Sequence, residues 1–166
     1  MKILSREGVL PVDYCAQMIG LYSGFMRPGA VGEGARKTYR SGRKCLSHEM
    51  KASLQLSAYT IGLAKQCDPD IFEEKSIKPM HCDLICYGEG MSFTRHKDAN
   101  KKLFTCIYFL NEGYEGGILF FDEGHRFEKM PVGSAVIWRN TDDSHHWVEQ
   151  VTKGQRYVLA HWLEEN

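Results

Sequence analysis

His81-Cys-Asp-Leu-Ile-Cys-Tyr87, Ser92-Phe-Thr-Arg-His96, Leu103-Phe-Thr-Cys-Ile-Tyr-Phe-Leu110 and Ile118-Leu-Phe-Phe121 are short runs rich in β-branched and aromatic residues. Four more follow: His125–Met130, Ser134–Arg139, His145–Val151 and Arg156–Leu163. Glycine-bearing turns separate them at Gly88, Gly90, Gly113, Gly116-Gly117, Gly124, Gly133 and Gly154. Eight such runs in about 85 residues predict an antiparallel barrel or jelly roll.

The N-terminal part has another texture. Tyr14, Met18, Leu21, Tyr22 and Phe25 recur at three- and four-residue spacing, which predicts a helix over 11–26 with Pro11 in its first turn. Met50, Leu54, Ile61 and Ala64 predict a second over about 47–66, capped by Ser47. Between them, 27–44 has four glycines and six basic residues and no periodicity, a long loop of a length that is usually functional or disordered. Helices before strands give an α+β chain with the helices packed on one sheet. The chain is expected to be one domain over 1–166: a helical part, 1–79, and a jelly-roll core, 80–166.

Lys+Arg and Asp+Glu number 21 each, so net charge gives no reason to expect nucleic acid or an anionic membrane. Residues 1–60 carry a net +5 and the remainder −5, a bias that suits an acidic substrate segment or simply a solvated basic face. Nothing reaches the roughly 18 apolar residues of a membrane span, and no secretion signal is read at the start. Six cysteines without CxxC pairing suit a reduced, cytoplasmic setting.

The chemistry is carried by three positions. In extended backbone His96 and Asp98 share a face while Lys97 points away. Alone, HxD says little. Its partner is His146, followed by Gly154 and Arg156, read as a hairpin whose return strand begins at the arginine. Two histidines and one carboxylate with open positions beside them suit non-haem iron(II) and O2. A guanidinium inside a barrel needs an anion, and its fork matches a carboxylate. Arg156 is therefore expected to hold the far carboxylate of 2-oxoglutarate.

These pieces resemble the prolyl hydroxylase branch of the 2-oxoglutarate oxygenases, of HIF type and collagen type. The likeness runs through Tyr87-Gly-Glu-Gly90, Phe93, His96-Lys-Asp98, Thr105–Asn111, Gly116-Gly117, Gly133-Ser-Ala-Val136 and His146…Gly154-x-Arg156-Tyr157. It implies a double-stranded β-helix, Fe(II), 2-oxoglutarate, O2 and ascorbate as reductant, with a prolyl residue of a peptide or protein as substrate. It selects His146 over His145 as the metal histidine and puts Tyr87 in the co-substrate pocket. At Phe109 the HIF-type enzymes have a tyrosine whose hydroxyl meets the same carboxylate, so another hydroxyl, such as that of Thr105 or Tyr157, or water is expected to replace it. Arg40, Arg95 and Trp138 are candidate substrate contacts, although Trp138 and Trp162 also read as core.

Three rival readings are weighed. One is hydroxylation of a free amino acid or other small molecule. Another is a cupin-like module that binds metal without turnover, and a third a zinc hydrolase, for which no general-base glutamate stands at a motif spacing. A nucleic-acid demethylase of the same superfamily would carry a second arginine where this chain has Trp162.

Overall fold

The computed structural model describes residues 1–28, 43–99 and 101–166. Seven strands form one sheet in the order β1 (Ile3–Arg6), β11 (Ala135–Arg139), β7 (Lys102–Phe109), β14 (Arg156–Glu165), β5 (Ile77–Tyr87), β4 (Leu46–Met50) and β2 (Arg27–Pro28). Five form a second: β10 (Arg126–Phe127), β9 (Leu119–Phe121), β12 (His146–Val148), β6 (Ser92–His96) and β3 (Arg43–Lys44). A short ribbon pairs β13 (Val151–Lys153) with β8 (Glu115–Gly116). Every pairing is antiparallel. The helices are α1 (Val12–Tyr22), α2 (Leu54–Cys67) and the single turn α3 (Ile71–Glu74).

Side-chain alternation assigns the large sheet two apolar faces, because successive residues of a strand point opposite ways. Cys82, Leu84 and Cys86 of β5, with Phe104, Tyr108, Ile137 and Leu159, pack with Cys15, Met18, Leu56, Leu63 and Ala64 of the helices. Ile85 and Tyr87, with Phe109, Val136, Trp138, Val158 and Trp162, pack with Leu119, Phe121 and Val148 of the smaller sheet. The runs in β5, β7 and β14 are nearly continuous apolar sequence because both faces are covered. The six cysteines are free thiols, five of them buried in these layers. No helix among the described residues is long and apolar enough to cross a membrane.

Several expectations are corrected. The second helix starts at Leu54, not near 47: Ser53 is its cap, accepting from the Leu56 N–H at 3.1 Å. Residues 46–50 pair with β5 instead. A five-residue segment takes helix or strand form according to its partner, and that partner lies some 35 positions on, opposite Cys82–Cys86. The first helix ends at Tyr22 and gives way to a 3₁₀ turn, Ser23–Phe25. The β5 strand begins at Ile77, so it runs through position 80. Finally, His146 and Arg156 do not share a hairpin. Their strands lie in different sheets, and the chain crosses between the sheets over 149–155. Of the loop 27–44, its ends pair as β2 and β3; residues 29–42, Arg40 among them, lie outside the described residues.

Candidate metal and co-substrate site

His96 ends β6 and lies directly opposite His146 of β12 in the register of the smaller sheet. Their ring centroids are 4.3 Å apart. Each imidazole is fixed in the same way: Nδ1 of His96 donates to the Thr94 carbonyl at 2.8 Å, and Nδ1 of His146 to the Ser144 carbonyl at 3.0 Å. A carbonyl oxygen only accepts, so the ring proton sits on Nδ1 and the lone pair on Nε2, the form that binds a metal. Burial holds the His146 pKa below its ordinary value, partly opposed by the neighbouring Asp98 carboxylate. Phe93 stacks on His96 at 3.7 Å, and Trp138 meets His146 edge-on at 4.8 Å. Both rings are packed in place.

Asp98 lies two residues past the end of β6. Its Oδ2 accepts from Thr105 Oγ1 at 2.5 Å and from Trp162 Nε1 at 3.3 Å. Lys102 Nζ lies 3.5 Å from Oδ1. Burial alone would raise this carboxyl, but Lys102, His146, the Thr105 hydroxyl and His96 together bring it down to about 2. It is an anion at any ordinary pH. Two Nε2 lone pairs and a carboxylate match the two-histidine, one-carboxylate donor set suited to iron(II). His145 points away, with its Nδ1 3.8 Å from Asp122, the carboxylate that also pairs with Arg95.

Behind the histidines, Arg156 starts β14 in register with Tyr87. Asn111 clamps that start: its Nδ2 donates to the Gln155 carbonyl at 2.8 Å and its Oδ1 accepts from the Tyr157 N–H at 2.7 Å. The guanidinium lies 5.3 Å from the Tyr87 ring and 5.2 Å from the Phe109 ring. Arg156 is 1 % exposed and its Nε has no hydrogen-bond partner among the described residues. A buried charge without a partner is costly, so this cradle fits an incoming carboxylate. Gly117 is part of it: a Cβ there would stand 2.8 Å from Arg156 Cδ.

Other expected residues fall elsewhere. Thr105 commits its single proton to Asp98, so it does not donate to the co-substrate in this arrangement. Tyr157 packs on the helix side of the large sheet and donates to Gln155. Trp138, expected among substrate contacts, is fully buried behind His146. Arg95 is an exposed partner of Asp122. Sequence reading missed Ser134, whose hydroxyl is fully buried with no partner among the described residues. It stands beside Phe109, whose N–H donates to the Ser134 carbonyl, on the strand face of Val136 and Trp138. It missed Trp162 at Asp98 as well. Strict alternation from Arg156 and from Trp138 would have found both. Among the described residues, the group whose three ligand atoms all lie within 4.8 Å of one another is Glu49, His81 and Asp83 on β4 and β5; His96, Asp98 and His146 supply the fitting donor types but do not meet that spacing.

Two antiparallel sheets carrying two imidazoles, a carboxylate and a buried guanidinium fit the non-haem oxygenases of jelly-roll type. The profile of the 2OG-Fe(II) oxygenase superfamily matches residues 82–164. The chain belongs to that superfamily, whose enzymes are dioxygenases using Fe(II), 2-oxoglutarate and O2. The PKHD-type hydroxylase of Picosynechococcus sp. is 36% identical over 97 residues, 52% of this chain and 43% of that protein. That of Prochlorococcus marinus is 28% identical over 149 residues, covering 76% and 66%. The matched part is thus less than half the length of the first of these relatives. Among solved structures, a Pseudomonas putida prolyl-4-hydroxylase superposes with TM-score 0.72 at 19% identity, over 99% of this chain and 93% of that one. A Trichoplax adhaerens prolyl hydroxylase, in complex with a hypoxia inducible factor oxygen degradation domain peptide fragment, gives 0.69 at 17%, over 99% and 84%. The resemblance read in the sequence, to prolyl-hydroxylase-type oxygenases, is borne out.

Proposed function

We propose that this chain hydroxylates a C–H bond, of a prolyl residue in a peptide or protein, with His96, Asp98 and His146 holding iron(II). When bound, iron(II) and 2-oxoglutarate supply the oxidation: 2-oxoglutarate, O2 and R–H become succinate, CO2 and R–OH. Arg156 anchors the far carboxylate of 2-oxoglutarate, with Tyr87 walling that pocket and the Ser134 hydroxyl taking the place of the tyrosine hydroxyl missing at Phe109. The observation that carries this reading is the buried guanidinium of Arg156, whose Nε has no hydrogen-bond partner among the described residues, on the face of the large sheet that packs against the strands of the two imidazoles. A merely structural metal site has no use for it. The prolyl substrate rests on the relatives and on the solved prolyl hydroxylases, one of which holds a peptide.

In this reading the 166 residues act as one oxygenase domain, a double-stranded β-helix with its N-terminal helices on the larger sheet. Ascorbate keeps the iron reduced, and the free thiols suit a cytoplasmic setting. Arg95 and Arg40 remain candidates for substrate contact. The test is succinate release from 2-oxoglutarate with iron(II) and ascorbate, run with proline-containing peptides and with free amino acids. Peptide-dependent release with one oxygen atom added at proline supports the proposal. Release driven only by a free amino acid would move the substrate to a small molecule. Metal binding with no 2-oxoglutarate consumption under any condition would favour a non-catalytic module.

A further inference from the structure

Asp98 is gripped by one oxygen. Thr105 and Trp162 are register partners on β7 and β14, and both donate to Oδ2, at 2.5 and 3.3 Å. Thr105 is itself set by a third residue. Asn140 Nδ2 donates to Thr105 Oγ1 at 2.8 Å, and the Asn140 backbone N–H is anchored on the Leu103 carbonyl at 2.9 Å. With a lone pair of Thr105 occupied from that side, its hydrogen is left to point at Asp98. The ammonium of Lys102 lies 3.5 Å from Oδ1, and it also lies 3.6 Å over the Trp162 ring. Lys102 therefore keeps a partner if a stronger cation takes Oδ1.

From this geometry we infer that Thr105, set by Asn140, and Trp162 are positioning residues that occupy Oδ2 and leave Oδ1 as the single oxygen Asp98 offers to iron. The inference rests on Asp98 being a metal ligand, as proposed above. Its physical need is plain. The terminal torsion of an aspartate is soft, so an unheld carboxylate can turn and bind through both oxygens, filling a position that co-substrate or O2 requires. Two donors on one oxygen prevent that turn. They also fix the ligand's direction before the metal arrives, as groups around a metal ligand generally do.

The test is a titration of the whole chain with Mn(II), without co-substrate, beside rate measurements at saturating iron(II). Thr105→Val should weaken Mn(II) binding about 10- to 100-fold, the usual effect of losing a group that orients a ligand. Thr105→Ser should restore most of it, and Trp162→Phe should weaken binding in the same sense. The Michaelis constant for 2-oxoglutarate should stay as in the parent. Two results would overturn the inference: Thr105→Val binding Mn(II) as tightly as the parent, or an intact metal affinity with a raised constant for 2-oxoglutarate. The second would return Thr105 to the co-substrate. If Thr105→Val does not fold, unchanged Mn(II) affinity in Trp162→Phe overturns it equally. Asp98→Ala is the separate control. Parent-like Mn(II) binding there would sink the metal assignment itself rather than this refinement of it.

Discussion

Arg156 concentrates the residue-scale argument, because its buried guanidinium lies between the Tyr87 and Phe109 rings with Nε lacking a hydrogen-bond partner among the described residues. Losing one partner of a buried charge pair costs on the order of 3–5 kcal/mol, about two to three and a half powers of ten in binding. Arg156→Ala should raise the Michaelis constant for 2-oxoglutarate by at least about 100-fold, with Arg156→Lys recovering part. Initial rates across a 2-oxoglutarate series decide it, and an unchanged constant removes the assignment. Ser134→Ala should move the same constant in the same direction by a smaller factor, since it deletes one neutral hydrogen bond. The adjacent histidines give a sharper contrast. His146→Ala should abolish iron-dependent turnover, whereas His145→Ala should keep most of it, because His145 turns to the Asp122 carboxylate. Activity in the first and none in the second would mean that the strand register is off by one.

At the scale of elements, two glycines decide how strands and loops can approach one another. Gly133 has φ +81°, and a Cβ there would stand 2.1 Å from the Leu10 carbonyl oxygen. The Gly133 carbonyl also accepts the Val9 and Leu10 N–H groups, both at 3.0 Å. That contact docks the segment before α1 against the start of β11, the strand that carries Trp138. Gly133→Ala should therefore destabilise the fold by about 2 kcal/mol or more, seen as a melting point lower by roughly 5 °C. Gly117→Ala should behave differently. Its Cβ would press on Arg156 Cδ and Val151 Cγ2, so its main effect should be a raised Michaelis constant for 2-oxoglutarate. A Gly117→Ala enzyme with parent-like 2-oxoglutarate dependence would show that the cradle has slack.

At the scale of the whole molecule, helices and large sheet are joined by a buried polar chain. Thr60 of α2 meets Tyr108 Oη of β7 and His161 Nδ1 of β14, each at 2.7 Å, while His161 Nε2 donates to the Met80 carbonyl at 3.3 Å. Burial depresses the His161 pKa to about 4. The folded state therefore prefers the neutral ring, and the unfolded chain binds a proton first as pH falls. Stability should decline from about pH 6.5 down to about 4, by up to ~3 kcal/mol from this residue. Urea midpoints at pH 7 and pH 4.5, measured with chelator present, should fall more steeply for the parent than for His161→Phe. Equal slopes would mean that His161 is not the group responsible.

How much of this was legible in the sequence follows from what is local. The runs around β5, β7, β11 and β14 declared themselves because a strand covered on both faces must be apolar almost throughout. The HxD pair, with His146 and the Gly154-x-Arg156 spacing, carried the resemblance to the oxygenase family because donor type and spacing are local to a few residues. Partnership across the chain was not legible. The strand at 46–50 exists because β5 offers it an edge, and no property of Leu-Ser-His-Glu-Met says so. The Oδ2 of Asp98 meets Thr105 and Trp162 only because β7 and β14 lie side by side. Arg156 and His146 stand on strands of different sheets rather than along a hairpin, since the chain crosses between layers after β12. Local residue chemistry pointed to the family. The antiparallel register, set by burying two apolar layers at once, decided which side chains stand together: His96 opposite His146, and Thr105 and Trp162 at Asp98.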